Sequence, residues 1–318
     1  MELGVSYVTA HLPRHIEQDM RDLAGIGCTQ VLVTLQENHF STLTGALDYG
    51  AVLAKEQGLE PHAVIWGFAN TFGGGRMSNL LLQRTDMWTR DLDGTPQPKV
   101  CLNHPDVADA FAKLAERCWA AGYTGIFVDE PTRQACYCPH CQAAFSQSQR
   151  GDLLAAAGTP AEDAFRAQTV HSYTERLCAR CKATLPEMTT VTCVMPVDRD
   201  TWDQVATIPE LDVLSTDPYW LVSQGRMTIE DAVSDARLMA KICQRANKES
   251  QIWLNCWRIP AGREPEIYSG GKLLAEAGCD ALYTWSFRGG MGTNEACDDP
   301  PTAWAAVERL YREISGKG

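Results

Sequence analysis

A single (β/α)8 barrel spanning residues 1–318 is the fold class this sequence predicts, and three observations predict it. Short β-rich runs alternate with longer stretches of helical period, the order that builds a parallel sheet with crossover helices. Eight such runs occur, most of them nearly continuous in apolar residues, as strands covered on both faces are. A chain of 318 residues is a natural size for one barrel carrying a few long loops. An open doubly wound sheet is the rival. Eight strands with no glycine-rich phosphate fingerprint after the first favour closure instead.

The strands are expected at 3–9, 30–36, 61–67, 124–129, 189–195, 211–217, 251–256 and 281–286. Between them the period changes. Ile16, Met20, Leu23 and Ala24 make an apolar stripe before the second strand, and Val107, Phe111, Leu114, Ala115 and Cys118 make another before the fourth. Thr228, three residues before Asp231, is placed to cap the helix after the sixth strand. Gly27-Cys28-Thr29, Gly122-Tyr123-Thr124 and Gly278-Cys279-Asp280 each precede a buried run, which marks helix-to-strand junctions. Two insertions follow strands, at 68–104 and 131–161, and so belong to long loops after strands three and four. In a barrel that is the functional face.

Composition narrows the function classes. Apolar residues at 45% can fill a large core, and the net charge of −12 argues against a sequence-independent grip on nucleic acid or anionic membranes. No run approaches the roughly 18 apolar residues of a membrane helix, and the first residues lack the basic-then-apolar order of a signal peptide. Thirteen cysteines in a long chain, several inside apparent strands and helices, suggest a reducing cytoplasm with buried thiols. A homo-oligomeric state is left open.

One group of cysteines stands apart. Cys136, Cys138 and Cys141 fall within six residues, and Cys101 ends the preceding insertion. Thiolates converging from two adjacent loops would close a tetrahedral zinc site with no open position, structural rather than catalytic. His140 is an alternative ligand, and a redox role for Cys138 and Cys141 a weaker alternative.

Carboxylates gather at strand ends. The fourth strand closes on Asp129-Glu130-Pro131 and the sixth on Asp217-Pro218-Tyr219-Trp220. Acids facing each other across a barrel mouth have the makings of a proton donor and a nucleophile or base. Glu37 ends the second strand, and Trp66, Trp220, Trp257 and Trp285 lie at or just past strand ends, where ring faces suit sugars. Asn255 and Arg288 complete the expected substrate-binding set.

The run Asp129-Glu130, followed by Cys136-x-Cys138-x-x-Cys141 and Phe145, resembles the strand-four region of family 42 β-galactosidases. Trp88-Thr89-Arg90-Asp91 leading to Cys101-Leu102-Asn103-His104-Pro105 is similar to the upstream segment of that family. The resemblance covers roughly residues 85–145. It implies a glycoside hydrolase-type barrel with structural zinc and Glu130 as acid/base. It breaks at strand seven, where that family carries a nucleophilic Glu and this chain reads Leu254-Asn255-Cys256-Trp257; family 42 enzymes are also longer. Acids on strands four and six resemble the α-galactosidase clan instead, which implies Asp129 as nucleophile and Asp217 as acid/base, with Glu130 a hydroxyl ligand or turned away.

The sequence therefore predicts a glycosidase acting on a small carbohydrate, with Asp217 and one of Asp129 or Glu130 as the working pair. The alternatives are a sugar-binding barrel without catalysis, or a lyase or isomerase using Glu130 or Glu37 as base. A catalytic zinc hydrolase is least favoured.

Overall fold

The computed structural model describes residues 1–8, 11–71, 78–149, 151–222 and 225–317. Its centre is a closed barrel of eight parallel strands. These are β1 (Glu2–Tyr7), β2 (Gln30–Leu35), β3 (Glu60–Ile65), β4 (Gly125–Val128), β5 (Thr189–Val194), β6 (Val213–Thr216), β7 (Glu249–Asn255) and β8 (Ala281–Trp285). Each pairs with its sequence neighbours, and β8 closes on β1 through Glu2↔Ala281 to Val5↔Thr284. All eight predicted strands are present, trimmed or shifted by a residue or two. Thr9, the expected end of the first, lies outside the described residues.

Period-two alternation sorts the strand residues. Leu32, Val64, Phe127, Val191, Cys193, Val213, Trp253, Ala281 and Tyr283 face the barrel axis and pack on one another. Their neighbours, among them Val31, Val33, Ile126, Val128, Ile252 and Leu254, face the helices in a separate, larger core. Two bulky rings reach across the narrow interior only because glycine faces them. A Cβ on Gly4 would run into Tyr283, and one on Gly125 into His62.

The helices hold the expected stripes. Ile16, Met20 and Leu23 are buried on Pro13–Ile26, and Val107, Phe111, Ala115 and Cys118 on Val107–Ala120. Thr228 and Asp231 form a reciprocal capping box on Ile229–Ala246, satisfying two end donors that helical bonding leaves free. No described helix is long and apolar enough to cross a membrane.

The insertion after β3 carries a two-stranded hairpin, Trp88–Arg90 with Pro96–Val100, and ends at Cys101. The insertion after β4 carries the helix Pro139–Gln149. Tyr137 N donates to Arg90 O at 2.8 Å, which ties the two insertions together.

Candidate functional site

Inward parity along β4 runs through Gly125 and Phe127 to Asp129, which therefore faces the barrel axis. Glu130 should then point outward. Its φ of +35° breaks the alternation, and both carboxyls line one cavity. A non-glycine residue in the left-handed region costs free energy that the surrounding structure must hold in place. On β6 the inward residues Val213 and Ser215 lead by the same parity to Asp217. On β5 they lead to Cys193.

The resulting cavity, about 470 Å³, opens at the C-terminal ends of the strands. Asp129, Glu130, Asp217 and Cys193 lie in it, beneath Trp66, Tyr219, Trp253, Trp257 and Trp285. One carboxylate oxygen each from Glu130 and Asp217 and the Cys193 sulfur lie within 4.8 Å of one another. Among the described residues no donor reaches Glu130 Oε2 or Asp217 Oδ1, although both atoms are buried. The two carboxyls instead interact with each other, by a hydrogen bond when one of them holds a proton.

Burial dominates their titration. Desolvation raises Asp129 to about 7, helped by the charge of Asp217. Desolvation, then the charges of Asp217 and Asp129, raise Glu130 well above the ordinary carboxylate range. Asp217 is raised less, to about 6, because the hydrogen bond with Glu130 favours its ionised form and opposes the desolvation. Two acids sharing one low-dielectric site cannot both ionise freely, so their affinities for protons are driven apart.

The expected substrate-binding residues divide. Trp66, Trp257 and Trp285 line the cavity. Trp220 does not: it is 4% exposed, buried in the outer core against Gly270. Glu37 is occupied in holding the β3 insertion, accepting from Ala69 N at 3.0 Å, Ser78 Oγ at 2.6 Å and Leu80 N at 3.0 Å. Arg288 pairs with Asp19 at 3.0 Å and Asp22 at 2.9 Å, bracing the β8 loop on the first helix. Asn255 is fully buried and donates to Trp257 O at 3.1 Å, which anchors the segment carrying Trp257.

Cys193, Tyr219, Trp253, Arg258 and Glu295 also line the cavity and were not singled out from sequence. Parity along β5 and β7 could have found Cys193 and Trp253. Nothing local marks Glu295, which enters from a loop after β8 and pairs with Arg258 at 2.8 Å.

The four cysteines also come together. Cys101, Cys136, Cys138 and Cys141 place their sulfurs within 4.8 Å of one another, with Cys101 Sγ 3.3 Å from Cys138 and 3.5 Å from Cys141. None is in a disulfide. Four thiolates about 2.3 Å from a central ion would stand about 3.8 Å apart, so the donor set fits a closed tetrahedral metal site. Asn103 Nδ2 donates to Cys141 Sγ at 3.3 Å, and Phe145, Leu153 and Phe165 seal the cluster. His140 instead packs edge-on against His104.

Barrel and mouth together define the class: a (β/α)8 barrel with carboxyls and aromatic rings gathered at the C-terminal ends of its strands. No family model matches the chain, and no curated protein is similar to it in sequence. Solved structures are similar in fold. A β-galactosidase from the Antarctic haloarchaeon Halorubrum lacusprofundi superposes with a TM-score of 0.73 at 17% identity, covering 99% of this chain and 58% of that one. A family 42 β-galactosidase from G. stearothermophilus gives 0.72 at 14% identity, covering 99% and 57%. The catalytic domain of a β-amylase from Paenibacillus polymyxa gives 0.67 at 9%, covering 99% and 98%. The chain thus spans somewhat over half the length of the β-galactosidases it matches. At these identities the likeness is one of fold.

Proposed function

We propose that the chain is a glycosidase cleaving a small glycoside or short oligosaccharide, with Glu130 as proton donor and Asp217 as its ionised partner. The observation that carries this reading is the pair itself: two carboxyls buried together in an aromatic-walled cavity, each with an oxygen that no donor among the described residues reaches. Glycosidic cleavage needs one carboxyl protonated at neutral pH and one charged. Burial and two neighbouring acids keep the proton on Glu130, while Asp217 ionises first. That order supports Glu130 over Asp217 as donor. Oxygens within 4.8 Å lie toward the short spacing, about 5–5.5 Å, of retaining enzymes rather than the roughly 6.5–9.5 Å of inverting ones. Asp217 then attacks the anomeric carbon as Glu130 protonates the leaving oxygen. Glu130 next takes a proton from the water that releases the sugar. Asp129 holds a sugar hydroxyl. The Trp253 and Trp257 Nε1 atoms, buried without acceptors, donate to other oxygens of the ligand.

The test is turnover of a panel of α- and β-aryl glycosides, with the anomer of the first-formed product read by NMR. Hydrolysis with retention, lost in Asp217→Asn and Glu130→Gln, is expected. Undiminished turnover in both variants would sink the reading. Asn255, where β7 offers no carboxylate, favours a second reading: a barrel that binds sugar without cleaving it, seen as ligand-induced thermal stabilisation without product.

We further propose that the four cysteines hold one zinc ion. With every position taken by sulfur, it would pin the two insertions together and stay out of the chemistry.

A further inference from the structure

The cavity holds more negative charge than a glycosidase pair requires. Asp129, Glu130 and Asp217 all line it, and a working pair uses two of them. Among the described residues the only cation lining it is Arg258. Its guanidinium is already paired with Glu295 at 2.8 Å and lies over the Trp257 ring, 5.3 Å from the centroid. Asp129 is partly buried and has no ion-pair partner among the described residues, and no donor among them reaches the buried Glu130 Oε2 or Asp217 Oδ1. Buried carboxylates without countercharge are costly, and the missing positive charge has to come from protons or from a ligand.

The walls suit a cation as well. Trp66 and Trp285 stand 5.9 Å apart by ring centroid, Trp253 and Trp285 6.1 Å, and Tyr219 and Trp257 5.8 Å, in tilted or edge-on array. Rings gathered around carboxylates attract an ammonium through their negative faces and cover the apolar faces of a sugar ring. The Trp253 and Trp257 N–H groups lack acceptors, which asks the same ligand for hydroxyl oxygens.

Resting on the reading of this cavity as a sugar site, we infer that the unit it seats is an amino sugar with a free, protonated amine. The ammonium brings three donors to the surplus of acceptors and one positive charge to Asp129 and the pair. The hydroxyls answer the indole donors. The same charge balance rejects hexuronates and phosphorylated sugars.

Calorimetry at neutral pH with a hexosamine, its N-acetyl form, the matching neutral hexose and the hexuronate tests this. The hexosamine is expected to bind roughly tenfold or more tighter than the neutral hexose, the order of one desolvated cation–π contact, and the hexuronate not measurably. Asp129→Asn is expected to erase that preference, so that hexosamine and neutral hexose bind alike, and an unchanged thermal unfolding transition reports that the variant is folded. Equal affinity for hexosamine and hexose, with aryl glycosides still hydrolysed, would overturn this inference and leave the glycosidase reading standing. Hexosamine preference without any hydrolysis would uphold it and remove the glycosidase reading. Stabilisation by zinc or manganese ions alone, abolished in Cys193→Ser, would also overturn it, because Glu130, Asp217 and Cys193 would then be ligands of a metal supplying the charge.

Discussion

Both ends of the barrel are lined with acids, yet they differ in how those acids are treated. The cleft at the N-terminal end is the larger, about 850 Å³ against about 470 Å³ at the C-terminal mouth. Most of its carboxylates are partnered, Glu249 being the exception, held above its ordinary proton affinity by burial and by its acidic neighbours. Asp280 accepts from Ser250 N at 2.9 Å and Ser250 Oγ at 2.6 Å. Asp212 accepts from Thr190 N at 2.8 Å and pairs with Lys182 at 2.7 Å. Glu60 accepts from Gln30 at 3.0 Å. These groups stitch adjacent strands together and remain partly solvated. At the opposite mouth Asp129, Glu130 and Asp217 crowd one another, and among the described residues none of the three has a cation paired with it. Size alone does not tell the two ends apart. Unmet hydrogen-bonding demand separates a seam that fastens strands from a site waiting for a ligand.

The largest effect that can break this comparison is on turnover. Glu130→Gln is expected to lower kcat/KM by roughly 10³-fold, the scale of a lost general acid, while raising thermal stability by about 1 kcal/mol through relief of buried repulsion. The pH dependence of stability checks the second half. Acids whose proton affinity rises on folding bind more protons folded than unfolded, so stability falls as pH climbs from the ordinary carboxylate range toward about 7. Chemical denaturation across that window should show the decline in the parent chain and a flatter curve in Glu130→Gln. Loss of stability together with loss of activity would mean that Glu130 fastens the barrel as the acids at the other end do.

A second test concerns the cysteine cluster, a set of ionisable side chains at the functional face that resembles the opposite seam in having its demand met locally. Cys136→Ser is expected to abolish stoichiometric zinc, measured by elemental analysis. It should lower Tm by roughly 10 °C, as the loss of a few kcal/mol does in a domain of this size. Residual turnover at low temperature should persist. Activity that vanished on chelation with the fold intact would instead assign the metal to the chemistry.

Much of the fold and of the C-terminal mouth was legible in the sequence, whereas the acids of the opposite end were not read from it, and the reasons are local. The barrel strands announce themselves as apolar runs, and the cysteine spacing places three thiols within six residues. The acids at the ends of β4 and β6 follow from strand boundaries alone. Which acid on β4 faces the cavity did not, because alternation admits one of two neighbours and a positive φ at Glu130 admits both. The fates of Trp220, Glu37 and Arg288 were equally hidden. Each sits at or just past a strand end, as Trp66 does, and only tertiary packing decides between cavity and framework. Gly270 makes room for the Trp220 ring, Asp19 and Asp22 capture Arg288, and the backbone of the β3 insertion captures Glu37.

The smallest expected effect sharpens the comparison from the other end. His62, with Gln30 and Thr124, holds Glu60 below the usual carboxylate range, at about 2, against an opposing desolvation. His62 Nε2, the largest of these influences, stands 3.5 Å from Glu60 Oε1. A depressed carboxylate stabilises the fold above its unfolded pKa and loses that contribution as pH falls through the folded value. Glu60→Gln should therefore cost stability at neutral pH, by no more than about 1 kcal/mol for so exposed a group, and the gap to the parent chain should close on acidification from about pH 4.5 toward 2. Turnover should be unchanged at every pH where both proteins are folded. The sign is opposite to that expected at Glu130, so one pair of denaturation series across pH decides whether the two acidic ends differ in kind. Parallel curves for the two variants would mean that they do not.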